Sequence, residues 1–63
     1  MTYWLLVTRR RNDTYPATRT HWDLDHAQRA VKEILTEPHG LWSLTLTEYR
    51  ADGPRVLVDW QPT

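Results

Sequence analysis

One stretch of the chain has helical periodicity, and it limits what the remaining residues can form. An apolar stripe with the three- and four-residue spacing of a helix is formed by Leu24, Ala27, Val31, Ile34 and Leu35. Charged and polar residues fill the positions between them, so the pattern predicts one amphipathic helix over residues 24–36. A helix with a single apolar side needs a second layer to cover that side, and the other apolar residues must supply it.

Residues at both ends of this segment define where the helix starts and stops. Asp23 is placed to cap the N-terminus, and Asp25 adds negative charge to the first turn. At the other end Pro38 pushes Glu37 out of helical geometry, because a residue before proline disfavours the α region. We therefore expect the helix to end near Thr36.

The apolar residues outside the helix alternate with period two, which is typical of strands. Strands are predicted at residues 3–9, 41–50 and 55–60. A weaker strand at residues 14–21 should lie at an edge, because Pro16 cannot donate to a sheet ladder. The order is ββαββ. The sequence thus predicts one small α+β domain, with one amphipathic helix packed on one face of a mainly antiparallel three- to four-stranded sheet.

Length and cysteine content restrict how such a domain gains stability. The chain has 63 residues and no Cys, so neither a disulfide nor a thiolate zinc site can support a core of this size. Self-association is then a natural way to bury more surface. No stretch approaches the ~20 apolar residues of a membrane span, and the N-terminus lacks the basic-then-apolar order of a signal peptide. We expect a cytoplasmic protein that does not bind membranes.

Alternation divides the strand residues between two faces of the sheet. The row facing the helix should be the more apolar one, and it is predicted to hold Trp4, Leu6, Trp22, Trp42, Leu44, Leu46, Val56, Val58 and Trp60. Pairing Leu46 with Trp60 in this row requires a bulged turn of three or five residues through 52–54. All four Trp are therefore expected in the core.

The opposite row cannot be covered by the same short helix, and it is rich in tyrosine. An uncovered patch of this kind indicates an interaction surface. The Arg-rich tip after the first strand adds positive charge beside it. The residues predicted to bind a partner are Tyr3, Leu5, Val7, Arg9, Arg10, Arg11, Tyr15, Arg19, His21, Tyr49 and Leu57.

Charge is unevenly distributed although the net charge is zero. Residues 1–22 contain four arginines against one aspartate, a charge of +3, which leaves −3 for residues 23–63. We expect a non-catalytic interaction module that binds another protein, or itself as a homodimer, through the open sheet face and the Arg-rich tip. The alternative is a regulator that binds single-stranded nucleic acid or DNA, with tyrosines stacking on bases and arginines contacting phosphates. Zero net charge argues against a dedicated nucleic-acid binder.

Catalytic and metal-binding patterns are weak in this sequence. His21, Asp23, Asp25 and His26 have a spacing that divalent ions use, but Asp23 is better explained as a helix cap. With two glycines in the chain there is no Gly-rich phosphate loop, and no nucleophile lies in the context of a triad. We expect no enzymatic activity, no metal, no cofactor and no small-molecule substrate.

The order of elements carries one resemblance. An aromatic strand, a polar tip, a Pro-containing strand, an amphipathic helix and another strand, over roughly residues 3–50, resemble small bacteriophage proteins that bind and inhibit host enzymes such as RNA polymerase. The resemblance lies in the pattern of elements, so it assigns no functional residue. It implies a stoichiometric, protein-binding role of the phage or regulatory-inhibitor type.

Overall fold

The computed structural model describes residues 1–62, and it contains four strands and one helix. The elements in chain order are β1 (Tyr3–Arg10), β2 (Ala17–His21), α1 (Leu24–Thr36), β3 (Leu41–Arg50) and β4 (Gly53–Trp60). The strands form one antiparallel sheet in the order β2-β1-β3-β4, and α1 packs on one of its faces. The small α+β fold with the order ββαββ is therefore confirmed.

The core lies between α1 and the side of the sheet that we call the covered face. Its buried residues are Leu6, Ala27, Val31, Leu41, Leu44 and Leu46. Helix α1 lies over β1, β2 and β3, and within residues 1–62 it makes no close backbone approach to β4. Val58 and Trp60 on β4 pack against the core but are only half-buried for this reason. One short helix thus covers about three strands.

The predicted cap of α1 is confirmed. The Asp23 carboxylate oxygen Oδ1 accepts a hydrogen bond from the backbone N–H of Asp25 at 2.8 Å, and a longer one from that of His26 at 3.4 Å. These bonds satisfy two of the N–H groups that a helix start leaves without partners. At the other end the helix stops at Thr36, and Glu37 has the extended φ of −130° that a residue before proline favours.

The register between β1 and β2 contradicts the predicted faces of β2. Trp4 pairs with His21 and Leu6 pairs with Arg19. Directly opposite residues share a face, so Arg19 and His21 lie on the covered face rather than on the opposite one. Trp22 lies beyond the strand and is 65% exposed, so its predicted place in the core was wrong. Because β2 is an exposed edge strand, little burial fixes its alternation, and a shift of one residue reverses every side chain.

A bulge near the start of β3 explains the exposure of a second tryptophan. Arg9 pairs with Ser43 and Arg10 pairs with Leu41, so Trp42 is an extra residue between the two pairs. Leu41 is 3% exposed and belongs to the core, whereas Trp42 is 52% exposed. The predicted core position of Trp42 was wrong, because simple alternation does not include the residue that a bulge adds.

The turn between β3 and β4 also differs from the predicted one. Arg50 pairs with Gly53, so the loop holds two residues, Ala51 and Asp52, rather than a bulged three or five. Gly53 has a φ of +121°, a conformation that residues with a Cβ rarely adopt. The pairing that starts at Arg50 and Gly53 continues in the normal register of a two-residue hairpin up to the middle of β4.

The extra residue that alternation required lies inside β4 and not in the turn. Leu46 pairs with Val58 and the next residue of β3, Thr47, pairs with Val56, which leaves Leu57 as a bulge. The turn register places Val56 on the side away from α1, and the bulge then returns Val58 and Trp60 to the covered face. The predicted pairing of Leu46 with Trp60 was wrong, as was the predicted core position of Val56, which is 58% exposed.

Candidate interaction site

The side of the sheet opposite α1 is covered by no other element of residues 1–62, and we call it the open face. The strand register assigns residues to it from all four strands. They are Tyr3, Leu5, Val7 and Arg9 of β1, Thr18 and Thr20 of β2, Ser43, Thr45, Thr47 and Tyr49 of β3, and Pro54, Val56 and Asp59 of β4. The bulge residue Leu57 lies between the last two and is 39% exposed.

Three aromatic rings form a continuous row at one end of the open face. Tyr3 and Tyr49 are cross-strand partners, and their rings stack with centroids 5.0 Å apart and an interplanar angle of 13°. On the other side of Tyr3 the ring of Trp22 lies at 5.7 Å with a tilt of 54°. We call Trp22, Tyr3 and Tyr49 the aromatic row. Each such pair contributes roughly 0.5–1.5 kcal/mol beyond its buried area, so the rings hold one another in place.

Apolar side chains continue the surface beyond the aromatic row. Leu5 and Val7 are half-buried between the neighbouring strands. Val56 stands at the level of Leu5, because both residues pair with Thr47 from opposite sides. Val56 is 58% exposed although it is a β-branched apolar residue in a strand. The open face therefore has apolar side chains on both β1 and β4, and the threonines of β3 lie between them.

Two charged side chains lie at the far end of the open face. Arg9 is on β1 at the level of Ser43, and Asp59 is on β4 at the level of Thr45. Both are exposed, and within the strand positions described for this face no other residue has a formal charge. The open face thus has one positive and one negative charge on two strands that flank β3.

The Arg-rich tip is engaged in local structure. The Arg10 guanidinium nitrogen Nη1 donates to the His39 carbonyl oxygen at 3.2 Å. The backbone N–H of Arg11 donates to the Gly40 carbonyl at 2.8 Å, which ties the tip to the loop before β3. The tip stands at the opposite end of β1 from Tyr3, about 20 Å away at ~3.3 Å per residue. Phosphate contacts at the tip and stacking at the aromatic row are therefore far apart.

The structure brings six of the eleven predicted partner-binding residues together and places the other five elsewhere, with Arg10 and Arg11 at the tip. Tyr3, Leu5, Val7, Arg9, Tyr49 and Leu57 come together on or beside the open face. Tyr15 is 80% exposed in the loop before β2, and it has no ring contact within residues 1–62. Arg19 and His21 are on the covered face, where the His21 nitrogen Nε2 is buried without a hydrogen-bond partner among the described residues.

Sequence reasoning missed several residues of the open face. Trp22 follows from the β1–β2 register, whereas Pro54 and Val56 follow from the two-residue turn between β3 and β4. The available signal for Val56 was the tight turn at Ala51 and Asp52, since a two-residue loop places Val56 opposite Thr47.

A cavity of about 690 Å³ lies apart from the open face, between the end of β4 and the loop after α1. Its lining residues are Glu37, Pro38, His39, Gly40, Leu41, Trp60 and Pro62. Within residues 1–62 no three His, Cys, Asp or Glu side chains are grouped closely enough to hold a metal ion. The helix of the described chain is also too short and too polar to cross a membrane.

Fold and surface together define a small α+β domain whose single helix covers one face of a four-stranded antiparallel sheet and leaves the other face open. Comparison with family models, with curated proteins and with solved structures gives no match for the chain. Its function must therefore be argued from the open face itself.

Proposed function

We propose that this chain is a non-catalytic interaction module that binds a protein surface, either its own second copy or another protein, through the open face. The observation that carries the proposal is the aromatic row, which is stacked in advance beside exposed apolar residues of β4. Tyr and Trp are enriched at protein interfaces because they bring large contact area with few rotatable bonds. Rings that already hold one another lose less entropy when a partner binds.

The uncovered apolar residues of the open face support the same function. A domain of this size needs most of its apolar residues in the core. Val56 and Leu57 are nevertheless 58% and 39% exposed. Exposed apolar side chains that lie together on one surface are typical of binding surfaces. An occupant that covers them buries this apolar area, and burial stabilises the complex by roughly 25 cal/mol for each Å² removed from water.

Nucleic-acid binding is the second candidate, and the aromatic row is the observation that favours it. Stacked rings on an open sheet can hold unpaired bases. However, Arg9 is the only arginine on the open face among the described residues. Arg10 and Arg11 are about 20 Å from the row and Arg19 is on the covered face, so phosphates along a bound strand meet few positive charges. The geometry therefore favours a protein occupant.

Site-specific photo-crosslinking tests the proposed function. A photoreactive amino acid is placed at position 56 on the open face, and in a matched control at position 28, since Gln28 is exposed on α1. In extract of the source organism, position 56 should cross-link to protein and position 28 should not. Equal cross-linking from both positions, or cross-links from position 56 to nucleic acid only, contradicts the proposal.

A further inference from the structure

We propose that the occupant of the open face is a second copy of the same chain, packed face to face about a two-fold axis that runs along β3. This inference rests on the proposed function and names its partner. The order of the strands is compatible with such an axis. Because β1 and β4 lie on either side of β3, an axis along β3 places β1 of one copy over β4 of the other and β3 over itself.

Apolar residues match under this rotation, which keeps the level along the strands unchanged. Leu5 and Val56 stand at the same level on β1 and β4, so each Leu5 meets Val56 of the second copy. At the next level Tyr3 meets Pro54 of the second copy, and the two Tyr49 rings meet at the axis. Each contact occurs twice or lies on the axis, as a symmetric interface requires.

Opposite charges on the two copies also come together under this rotation, and they favour an axis along β3 over one along β1. Asp59 on β4 stands at the level of Val7, so the rotation places each Asp59 over Val7 of the second copy. Arg9 is two residues further along β1, about 7 Å, which an arginine side chain can span to reach that carboxylate. The rotation therefore forms two Arg9–Asp59 pairs between the copies. An axis along β1 would instead set Arg9 of one copy against Arg9 of the other, and facing like charges are destabilising.

The size of the face determines how strong such a dimer is. Only β1, β3 and β4 face strands of the second copy, because β2 has no counterpart beyond β4. Three strands at about 4.8 Å spacing and eight residues at about 3.3 Å each give a footprint of roughly 380 Å² per copy. The total of about 760 Å² is typical of weak, transient contacts rather than of stable specific interfaces. We therefore expect a reversible dimer with a dissociation constant on the order of 0.1 mM, in exchange with the monomer.

Charge reversal at the two matched positions tests the inference. Arg9→Asp and Asp59→Arg each create a repulsive pair in the dimer, and the double variant restores attraction with the signs exchanged. Sedimentation equilibrium of the full chain should show weakening of self-association by about tenfold in each single variant, with recovery to within about threefold of wild type in the double variant. Both residues are exposed, and circular dichroism checks that each variant stays folded.

The result separates this inference from the proposed function. A wild-type chain that stays monomeric up to roughly millimolar concentration overturns the second copy as partner. A double variant as weak as the single variants overturns the axis along β3. In either case, cross-links from position 56 to a different protein leave the interaction module standing, whereas the absence of any protein cross-link removes both.

Discussion

The indole nitrogen Nε1 of Trp4 donates a hydrogen bond of 3.0 Å to the carboxylate oxygen Oε2 of its cross-strand partner Glu48. Glu48 is 8% exposed, and its second oxygen, Oε1, lies 3.3 Å from Nε of Arg50. A carboxylate this deep in the covered face is tolerated because both oxygens have a partner. The pair joins the two central strands at the end of the core.

Replacing Glu48 should separate the effect of the hydrogen bond from that of the charge. Glu48→Ala leaves the half-buried Trp4 N–H without its acceptor, and we expect a loss of about 1–3 kcal/mol in the free energy of unfolding. Glu48→Gln keeps an acceptor oxygen and should lose less, because the partner Arg50 is exposed and contributes little. Urea unfolding measures both. Equal losses would show that the charge, rather than the acceptor, matters.

Trp4 and Trp42 should respond differently to truncation. Trp4 packs against the core, so Trp4→Ala is expected to lower the free energy of unfolding by about 3 kcal/mol. Trp42 is 52% exposed at its bulge, so Trp42→Ala should cost about 1 kcal/mol or less. Thermal and chemical unfolding compare the two variants in one assay. A larger loss for Trp42 would contradict the bulge at the start of β3.

Replacing the N-cap residue of α1 should lower the stability of the protein. Asp23→Ala removes the acceptor for two backbone N–H groups and should cost about 1 kcal/mol of folding free energy. Asp23→Asn keeps a side-chain oxygen and should retain most of the stability. Far-ultraviolet circular dichroism during urea unfolding measures both variants. If Asn behaves like Ala, the negative charge is the main contribution of Asp23.

Deleting one residue from β4 tests whether this strand contains the bulge. Without Leu57, Val56 and Val58 become neighbours and keep their partners Thr47 and Leu46, so the fold should persist with a regular ladder. Deleting Leu5 from β1, which has no extra residue to lose, instead moves Trp4 opposite Thr47 on the open face, and it should unfold much of the protein. Heteronuclear NMR spectra and unfolding curves at low concentration compare the two. Comparable damage from both deletions would place the bulge elsewhere.

The helix was predictable because its signals are local, whereas the faces of the strands depend on distant pairing. Asp23 and Pro38 define the ends of α1 through their own backbone preferences, and the structure places the helix ends there. The position of Trp42 depends on how β3 meets β1, and alternation cannot show where a bulge adds a residue.

The same reason limits prediction of the site. Tyr3 and Tyr49 lie on central strands whose alternate residues are buried, so their side was predictable. Arg19 and His21 lie on an edge strand in which every residue but the last is exposed, and burial there provides no signal for the face. Their side of the sheet is decided by the pairing of β2 with β1, which is specified only when the hairpin folds.

The bulge at Leu57 also has a consequence for the outer rim of the sheet. β4 is an edge strand, and a regular edge strand offers an unbroken series of backbone groups on which foreign chains can assemble. Here Pro54 supplies no N–H, and the extra residue interrupts the spacing three positions later. Fibrillar growth from this rim is disfavoured, even though the apolar residues beside it stay available for a partner that approaches from the flat side.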